Sequence, residues 1–124
     1  MKSQSDRALI IIDMTPDKVA EVPGARDLVR YIRGELRYFR ERGRPVIFAC
    51  GDRPGGKPGV ISELTPRTGE TVLMRHTPSA FFDTGLDAVL PEEVRRLTLV
   101  GIETHTSILL TAGDAYARGF QVIV

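Results

Sequence analysis

The stretch Leu97-Thr98-Leu99-Val100-Gly101-Ile102-Glu103-Thr104-His105-Thr106-Ser107 joins a short apolar run to a segment of helical periodicity that continues through Ala117. We interpret it as a buried strand that turns directly into a helix. Such a turn presents unpaired backbone N–H groups together with the positive end of the helix dipole. The hydroxyl of Ser107 would lie beside these donors, which could stabilise an oxyanion. We therefore expect chemistry at this turn.

Short apolar runs alternate with amphipathic segments along the rest of the chain. The runs predict buried strands and the periodic segments predict helices. The predicted strands are Leu9–Met14, Val46–Cys50, Thr71–Met74, Leu97–Ile102 and Val122–Val124. The predicted helical segments are a long helix opened by Pro23-Gly24 and ended at Gly43, one turn over Val60–Leu64, a short helix over Leu86–Val94 and a late helix over Thr104–Arg118. This alternation is typical of an α/β fold in which helices cover both faces of a mainly parallel sheet.

The expected strand order places two strand ends side by side. In the usual doubly wound order, 3-2-1-4-5, strands one and four are neighbours, and ligands bind in the crevice outside their carboxyl ends. Asp13 follows the first apolar run, and the Glu103–Ser107 turn follows the fourth. A carboxylate in such a crevice is a candidate general base, although an Asp at a strand end is also an ordinary turn or cap residue. Arg75, at the end of the third strand, could be a solvated surface residue, or could pair with Asp13 or with an anionic substrate.

The composition suits one soluble domain spanning residues 1–124, which is long enough for a packed core. The formal net charge of +1 predicts neither a phosphate-binding surface nor an acidic tail. Cys50 is the single cysteine, so no internal disulfide can form and a reducing compartment is favoured. We expect Cys50 to be an inert core residue. The first apolar run is too short for a signal or membrane segment, so we expect a cytoplasmic protein that does not bind a membrane. The near-neutral charge leads us to expect no nucleic-acid partner either.

Two further patterns point to nucleotide or metal binding, but the context that each needs is missing. Gly51–Lys57 has the spacing of a phosphate-binding loop, yet Pro58 stands where Ser or Thr would reach a metal ion. We interpret it as a surface loop. His76 and His105 are the two histidines, and no Cys or acidic residue lies at ligand spacing from either. We therefore expect no metal and no cofactor, and His105 could either donate to a ligand or simply be polar at a helix start.

Taken together, four stretches resemble the isochorismatase-like hydrolases, also called the cysteine hydrolase superfamily. That group includes nicotinamidases, N-carbamoylsarcosine amidases and isochorismatases. The stretches are ALIIIDM (8–14), ERGRPVIF (41–48), VLMRHTPSAFFDTGLDAVL (72–90) and RRLTLVGIETHTSILLTAGDAYARGFQVIV (95–124). The resemblance implies a three-layer α/β/α sandwich with parallel strands in the order 3-2-1-4-5-6.

The resemblance also assigns roles to individual residues. The family's amidases use an Asp, a Lys and a Cys, which fall by motif on Asp13, Arg75 and Ser107. A non-proline cis peptide is implied at the Ile102–Glu103 bond, and an oxyanion hole at the amides of Glu103 and Ser107. Together with Glu103, the candidates for the oxyanion hole and substrate binding are Ile102 and Phe81.

Two of the three catalytic identities differ from the family's amidases. Ser107 is a far poorer nucleophile than a thiolate, and Arg75 keeps the positive charge but cannot act as an acid near neutral pH. The family's isochorismatases lack the cysteine and cleave a vinyl ether by acid catalysis. We therefore expect a hydrolase for a small molecule with an amide or other C–N bond or a vinyl ether, in which Asp13 moves the proton. The alternative is a catalytically silent binding or assembly subunit. In such a subunit, side chains such as Met14 or Phe81 would fill the crevice.

The C-terminal end carries an expectation about assembly. Family members continue past the fifth strand with a further strand and helix, so a chain that ends at Val124 is expected to be naturally minimal or shortened there. Its last strand would then form an apolar sheet edge with unpaired backbone groups. We expect a homo-oligomer that uses this edge or the Leu109–Arg118 helix.

Overall fold

A computed structural model describes residues 6–51, 59–75, 79–80, 85–102 and 108–124, apart from the side chains of Arg75 and Leu109. Within these segments the chain forms five strands, four α-helices and one 3-10 turn. In chain order they are β1 (Arg7–Ile12), α1 (Pro16–Ala20), α2 (Ala25–Glu41), β2 (Val46–Gly51), the 3-10 turn (Ser62–Leu64), β3 (Thr71–Arg75), α3 (Leu86–Val89), β4 (Arg96–Gly101), α4 (Leu109–Ala117) and β5 (Gln121–Ile123).

The strands form one parallel sheet in the order β3-β2-β1-β4-β5. This confirms the order 3-2-1-4-5 that the sequence predicts. Strand β1 is central, and Ala8 to Ile12 are buried on it. Because β1 is covered on both faces, it reads as a continuous apolar run rather than an alternating one.

Alternate residues of β1 face two separate cores. Leu9 and Ile11 belong to a core that includes Ile32 and Leu36 of α2. Ala8, Ile10 and Ile12 belong to the opposite core, whose helical members are Leu86, Ile108 and Ala115. The sheet therefore lies between two helical layers, which confirms the expected sandwich.

The long helix α2 has the amphipathic pattern that the sequence shows. Its buried residues, Ala25, Val29, Ile32, Leu36 and Phe39, recur every three or four positions. The helix begins after Gly24, whose φ of 75° lies in the left-handed region that favours glycine. Through this face α2 packs in the core that contains Leu9, Ile11 and Met14.

Two helix predictions are wrong at their ends. The helix expected over Leu86–Val94 ends at Val89, and Leu90 is extended (φ −77°, ψ 125°) because it precedes Pro91. The sequence also placed the first helix at Pro23, whereas α1 already begins at Pro16. Thr15 is extended immediately before Pro16, and proline at a first helical position is a known start signal.

The strand ends move by one or two residues from their predicted positions. Strand β5 covers Gln121–Ile123 rather than Val122–Val124, and β4 ends at Gly101 rather than Ile102. Cys50 is buried in β2, as expected of a core residue. Helices in the described part of the chain are all too short or too polar to cross a membrane.

Candidate functional site

Asp13 is held at the carboxyl end of β1 by backbone groups from β2. Its amide donates to the Ala49 carbonyl at 2.8 Å, and the Gly51 amide donates to Asp13 Oδ1 at 3.0 Å. The residue is only 1% exposed. Its φ of 59° is left-handed, which is uncommon for a residue with a side chain. This backbone turns the chain out of β1 while the carboxylate stays inside, an arrangement that recurs at functional sites.

The end of β4 lies directly beside the end of β1. Ile12 pairs with Gly101 in the parallel register, so Asp13 and Ile102 follow neighbouring positions. A Cβ built on Gly101 would be 2.1 Å from the Ile12 carbonyl oxygen, and the φ of Gly101 is 150°. Only glycine permits so close an approach of the two backbones. The switch point expected between strands one and four is therefore present.

Arg75 is the last residue of β3, and its backbone pairs with Gly51. One strand, β2, separates it from Asp13. Gly51 thus links the two, since its amide donates to Asp13 and its backbone lies beside Arg75. The carboxyl ends of β1, β2 and β3 lie at the same end of the sheet, which is where the sequence predicts the site.

Several predictions fall outside the described residues. They are the side chain of Arg75, the positions of Ser107, Glu103, Phe81, His76 and His105, the Ile102–Glu103 peptide bond, and most of the Gly51–Lys57 loop. Ile102 is described, and it packs partly buried against the core on the α2 side of the sheet. Its expected contribution to the site stays a prediction.

Helix α4 anchors Ser79 and Ala80, which lie a few residues after β3 in the sequence. The Ser79 hydroxyl donates to Asp114 Oδ2, and the Ala80 amide donates to Thr111 Oγ1 at 2.8 Å. Thr111 and Ala80 are fully buried. Sequence reasoning did not single out Thr111 or Asp114, because their partners lie more than 30 positions away. They join Ser79 and Ala80 to helix α4.

Thr15 is a second residue that sequence reasoning missed. It is 7% exposed, and its hydroxyl has no hydrogen-bond partner among the described residues. A buried hydroxyl without a partner costs free energy, which a bound water molecule or ligand group would recover. Its position two residues after Asp13 would have been the sequence signal.

The described residues contain no group of three His, Cys, Asp or Glu side chains placed to hold a metal ion. The donor described at the Asp13 carboxylate is the backbone amide of Gly51. Such donors hold carboxylates and polarised oxygen atoms, which suits proton transfer and oxyanion binding.

Comparison with known proteins identifies the family. The family model described as the isochorismatase domain matches residues 7–124. A secreted isochorismatase effector of Verticillium dahliae is 28% identical over 138 residues, which cover 98% of this chain and 71% of that protein. Maleamate amidohydrolase of Pseudomonas putida is 30% identical over 146 residues, covering 94% of this chain and 68% of that protein.

A solved structure agrees with the sequence matches. The N-carbamoylsarcosine amidase of Thermoplasma acidophilum superposes with a TM-score of 0.86 at 27% identity, over 94% of this chain and 79% of that chain. Its fold is therefore that of the sheet and helices described above. The chain belongs to the isochorismatase family and has that family's hydrolase fold.

Proposed function

We propose that this chain hydrolyses a small molecule that carries an amide or other C–N bond or a vinyl ether. The observation that carries the proposal is the buried Asp13, fixed by two backbone hydrogen bonds at the switch point of the sheet. A carboxylate held in this way is available for proton transfer. The names of two relatives, maleamate amidohydrolase and N-carbamoylsarcosine amidase, favour C–N hydrolysis.

The proposed roles follow from the motif positions. For C–N hydrolysis, the Asp13 carboxylate accepts the proton of the attacking hydroxyl, from Ser107 or from water. The new C–O bond then forms, and the C–N bond breaks as the amine leaves with that proton. Where Ser107 attacks, water then hydrolyses the acyl-serine ester and restores the hydroxyl. Arg75 provides positive charge, the Glu103 and Ser107 amides bind the oxyanion, and Phe81 and Ile102 contact the substrate. For a vinyl ether, the protonated Asp13 carboxyl instead donates a proton to the alkene carbon. Water adds to the adjacent carbon and returns a proton to Asp13, and the ether C–O bond then breaks to release an alcohol and a carbonyl compound.

Thr15 extends this proposed site. Its buried hydroxyl lies two residues along the chain from Asp13 and has no partner among the described residues. We propose that it hydrogen-bonds the substrate. A Thr15→Val variant keeps the shape and removes the hydroxyl, so it should raise KM more than it lowers kcat.

A catalytically silent subunit is the second candidate function. Met14, which follows Asp13, is 1% exposed and belongs to the core on the α2 side. Ser107 and Arg75 also stand where the family's amidases have Cys and Lys. The changed identities at positions 75 and 107 favour a subunit without turnover, whereas Met14 packs in the core and does not support a filled crevice.

A substrate screen separates the two candidates. Small amides, N-carbamoyl compounds and isochorismate are incubated with wild type and with Asp13→Asn, and products are measured by mass spectrometry. A hydrolase converts at least one compound, and Asp13→Asn lowers that rate about 100-fold or more. Equal thermal stability of both proteins is the required control. Conversion that survives Asp13→Asn unchanged would exclude Asp13 as the proton-transfer group, and conversion of no compound favours the silent subunit.

A further inference from the structure

A cavity of about 380 Å³ lies at the end of the sheet opposite Asp13. It is formed by the turn between α2 and β2 and by the turn that precedes β3, and its charged residues are Arg40, Arg44, Arg67 and Glu70. Asp13 bonds to the last residue of β2, whereas this cavity lies against the first. A strand of this length separates the two by about 17 Å. The cavity is therefore distinct from the proposed active site.

The one carboxylate among the residues that line the cavity is already neutralised. Arg40 donates to Glu70 through Nε and through Nη2, each at 2.7 Å, and the Arg67 amide donates to Glu70 Oε1 at 2.8 Å. Burial raises the pKa of Glu70, but the hydrogen bonds and charges of Arg40 and Arg67 outweigh it and lower that pKa. The positive charges of Arg44 and Arg67 are not balanced by an ion pair, because neither side chain pairs with a carboxylate in the described segments.

Arg44 is the unusual member of this set. It is 8% exposed, and its Nε and Nη1 are buried without a hydrogen-bond partner in the described part of the chain. Its guanidinium carbon lies 5.1 Å from the Tyr38 ring centroid and 5.7 Å from that of Phe39. Aromatic rings attract the cation but replace only part of its lost hydration. A buried unpaired charge is costly, which calls for a counter-ion.

The surroundings of Arg44 add to the positive potential. The Arg44 hydrogen bond to Tyr38, together with the charges of Arg42, Arg44 and Arg7, lowers the pKa of the Tyr38 hydroxyl. Nε of Arg7 is also buried without a partner among the described residues. Although the whole chain carries a net charge of only +1, this end of the sheet is strongly cationic.

We propose that this cavity binds a phosphate-type oxyanion, with Arg44 and Arg67 as its ligands. The exposed Arg67 guanidinium presents a planar fork of N–H donors that fits phosphate oxygens in pairs, and Arg44 adds a second positive charge at the cavity wall. Two surplus positive charges match a dianion. The volume exceeds what a phosphate ion alone needs, so the phosphate group of a small phosphomonoester also fits. This site is independent of the proposed hydrolase activity.

Isothermal titration calorimetry with inorganic phosphate and with glycerol 3-phosphate tests the site. Each titration is run at fixed ionic strength, and sodium chloride is the control titrant. We expect one site per chain. Arg44→Leu and Arg67→Leu should each weaken binding about tenfold or more, whereas Arg30→Leu should not, because Arg30 lies on α2 outside the cavity. In phosphate-free buffer, Arg44→Leu should also be at least as stable as wild type, because it removes a buried unpaired charge.

The two titrants identify the source of the oxyanion. Tighter binding of glycerol 3-phosphate points to a phosphorylated metabolite, and equal binding points to free phosphate. Binding no stronger than that of chloride would overturn the proposal. So would unchanged binding by both Arg44→Leu and Arg67→Leu, or a large loss of stability in phosphate-free Arg44→Leu. Arg67 is exposed, so its variant reports on binding even if Arg44→Leu does not fold.

Discussion

Gly101→Ala should damage the fold because the β1 and β4 backbones meet at this residue. The new Cβ would lie 2.1 Å from the Ile12 carbonyl oxygen and 3.0 Å from its carbon. Both neighbours are backbone atoms, so no side chain can swing aside. The φ of 150° adds about 1–3 kcal/mol for a residue with a side chain. Separating the strand ends by about 1 Å would also weaken one or two ladder hydrogen bonds, at about 1 kcal/mol each.

Together the two costs amount to about 2–5 kcal/mol, a large part of the stability of an ordinary domain. At about 4 °C per kcal/mol, the Tm should fall by about 8–20 °C. Urea denaturation and calorimetry of the purified variant measure both quantities. Gly34→Ala is the matched control, because a Cβ on Gly34 meets no atom within 4 Å and the residue lies inside α2. That variant should gain about 0.5–1 kcal/mol.

A Gly101→Ala variant within about 1 kcal/mol of wild type would refute this prediction. That result would mean that a side chain fits between the two strand ends. The register of Ile12 with Gly101 would then be wrong, and with it the placement of Asp13 beside Ile102.

Three further predictions concern acid stability, a buried hydrogen bond and assembly. Because the pKa of Glu70 is lowered, its ionised form stabilises the fold above the unfolded pKa of about 4.3, and this stabilisation is lost as the pH falls through the lower folded pKa. The urea midpoint of Glu70→Gln should therefore fall less steeply than that of wild type below about pH 5, and an equally steep fall would contradict this. Thr111→Val should cost about 1–3 kcal/mol in urea denaturation because the buried Ala80 amide loses its acceptor, whereas Thr111→Ser should retain most of the stability. The exposed Ile123 and Val124 at the β5 edge lead us to expect a homo-oligomer in sedimentation equilibrium, and a monodisperse monomer at high micromolar concentration would reject that expectation.

The sequence predicts the sheet well because parallel strands buried on both faces leave a clear apolar pattern. Leu9 to Ile12 and Leu97 to Val100 are such runs, and the usual order of doubly wound sheets then leads from them to the observed strand order. The position of Asp13 follows from the same pattern, since it ends the first run. Helix ends are harder to predict, because they depend on single residues such as Pro16 and Pro91 rather than on periodicity.

Features that depend on packing between distant segments could not be predicted. Arg44 and Arg67 come from separate turns and share a cavity only because those turns meet at one end of the sheet. The net charge of +1 gives no sign of this local excess. The closeness of Gly101 to Ile12 is likewise a property of two paired strands, whereas the sequence by itself shows only a glycine after an apolar run.

Asp13 and residue 107 are proposed to share one site, and the thiol of Ser107→Cys tests this central claim most directly. The variant is made in a Cys50→Ala background so that one thiol remains. Its alkylation rate is measured against pH, with and without Asp13→Asn. A nearby cation and a helix start should lower the thiol pKa below the ordinary value of about 8.5, and removal of the Asp13 charge should lower it further. A thiol pKa near 8.5 that Asp13→Asn does not change would contradict a shared site.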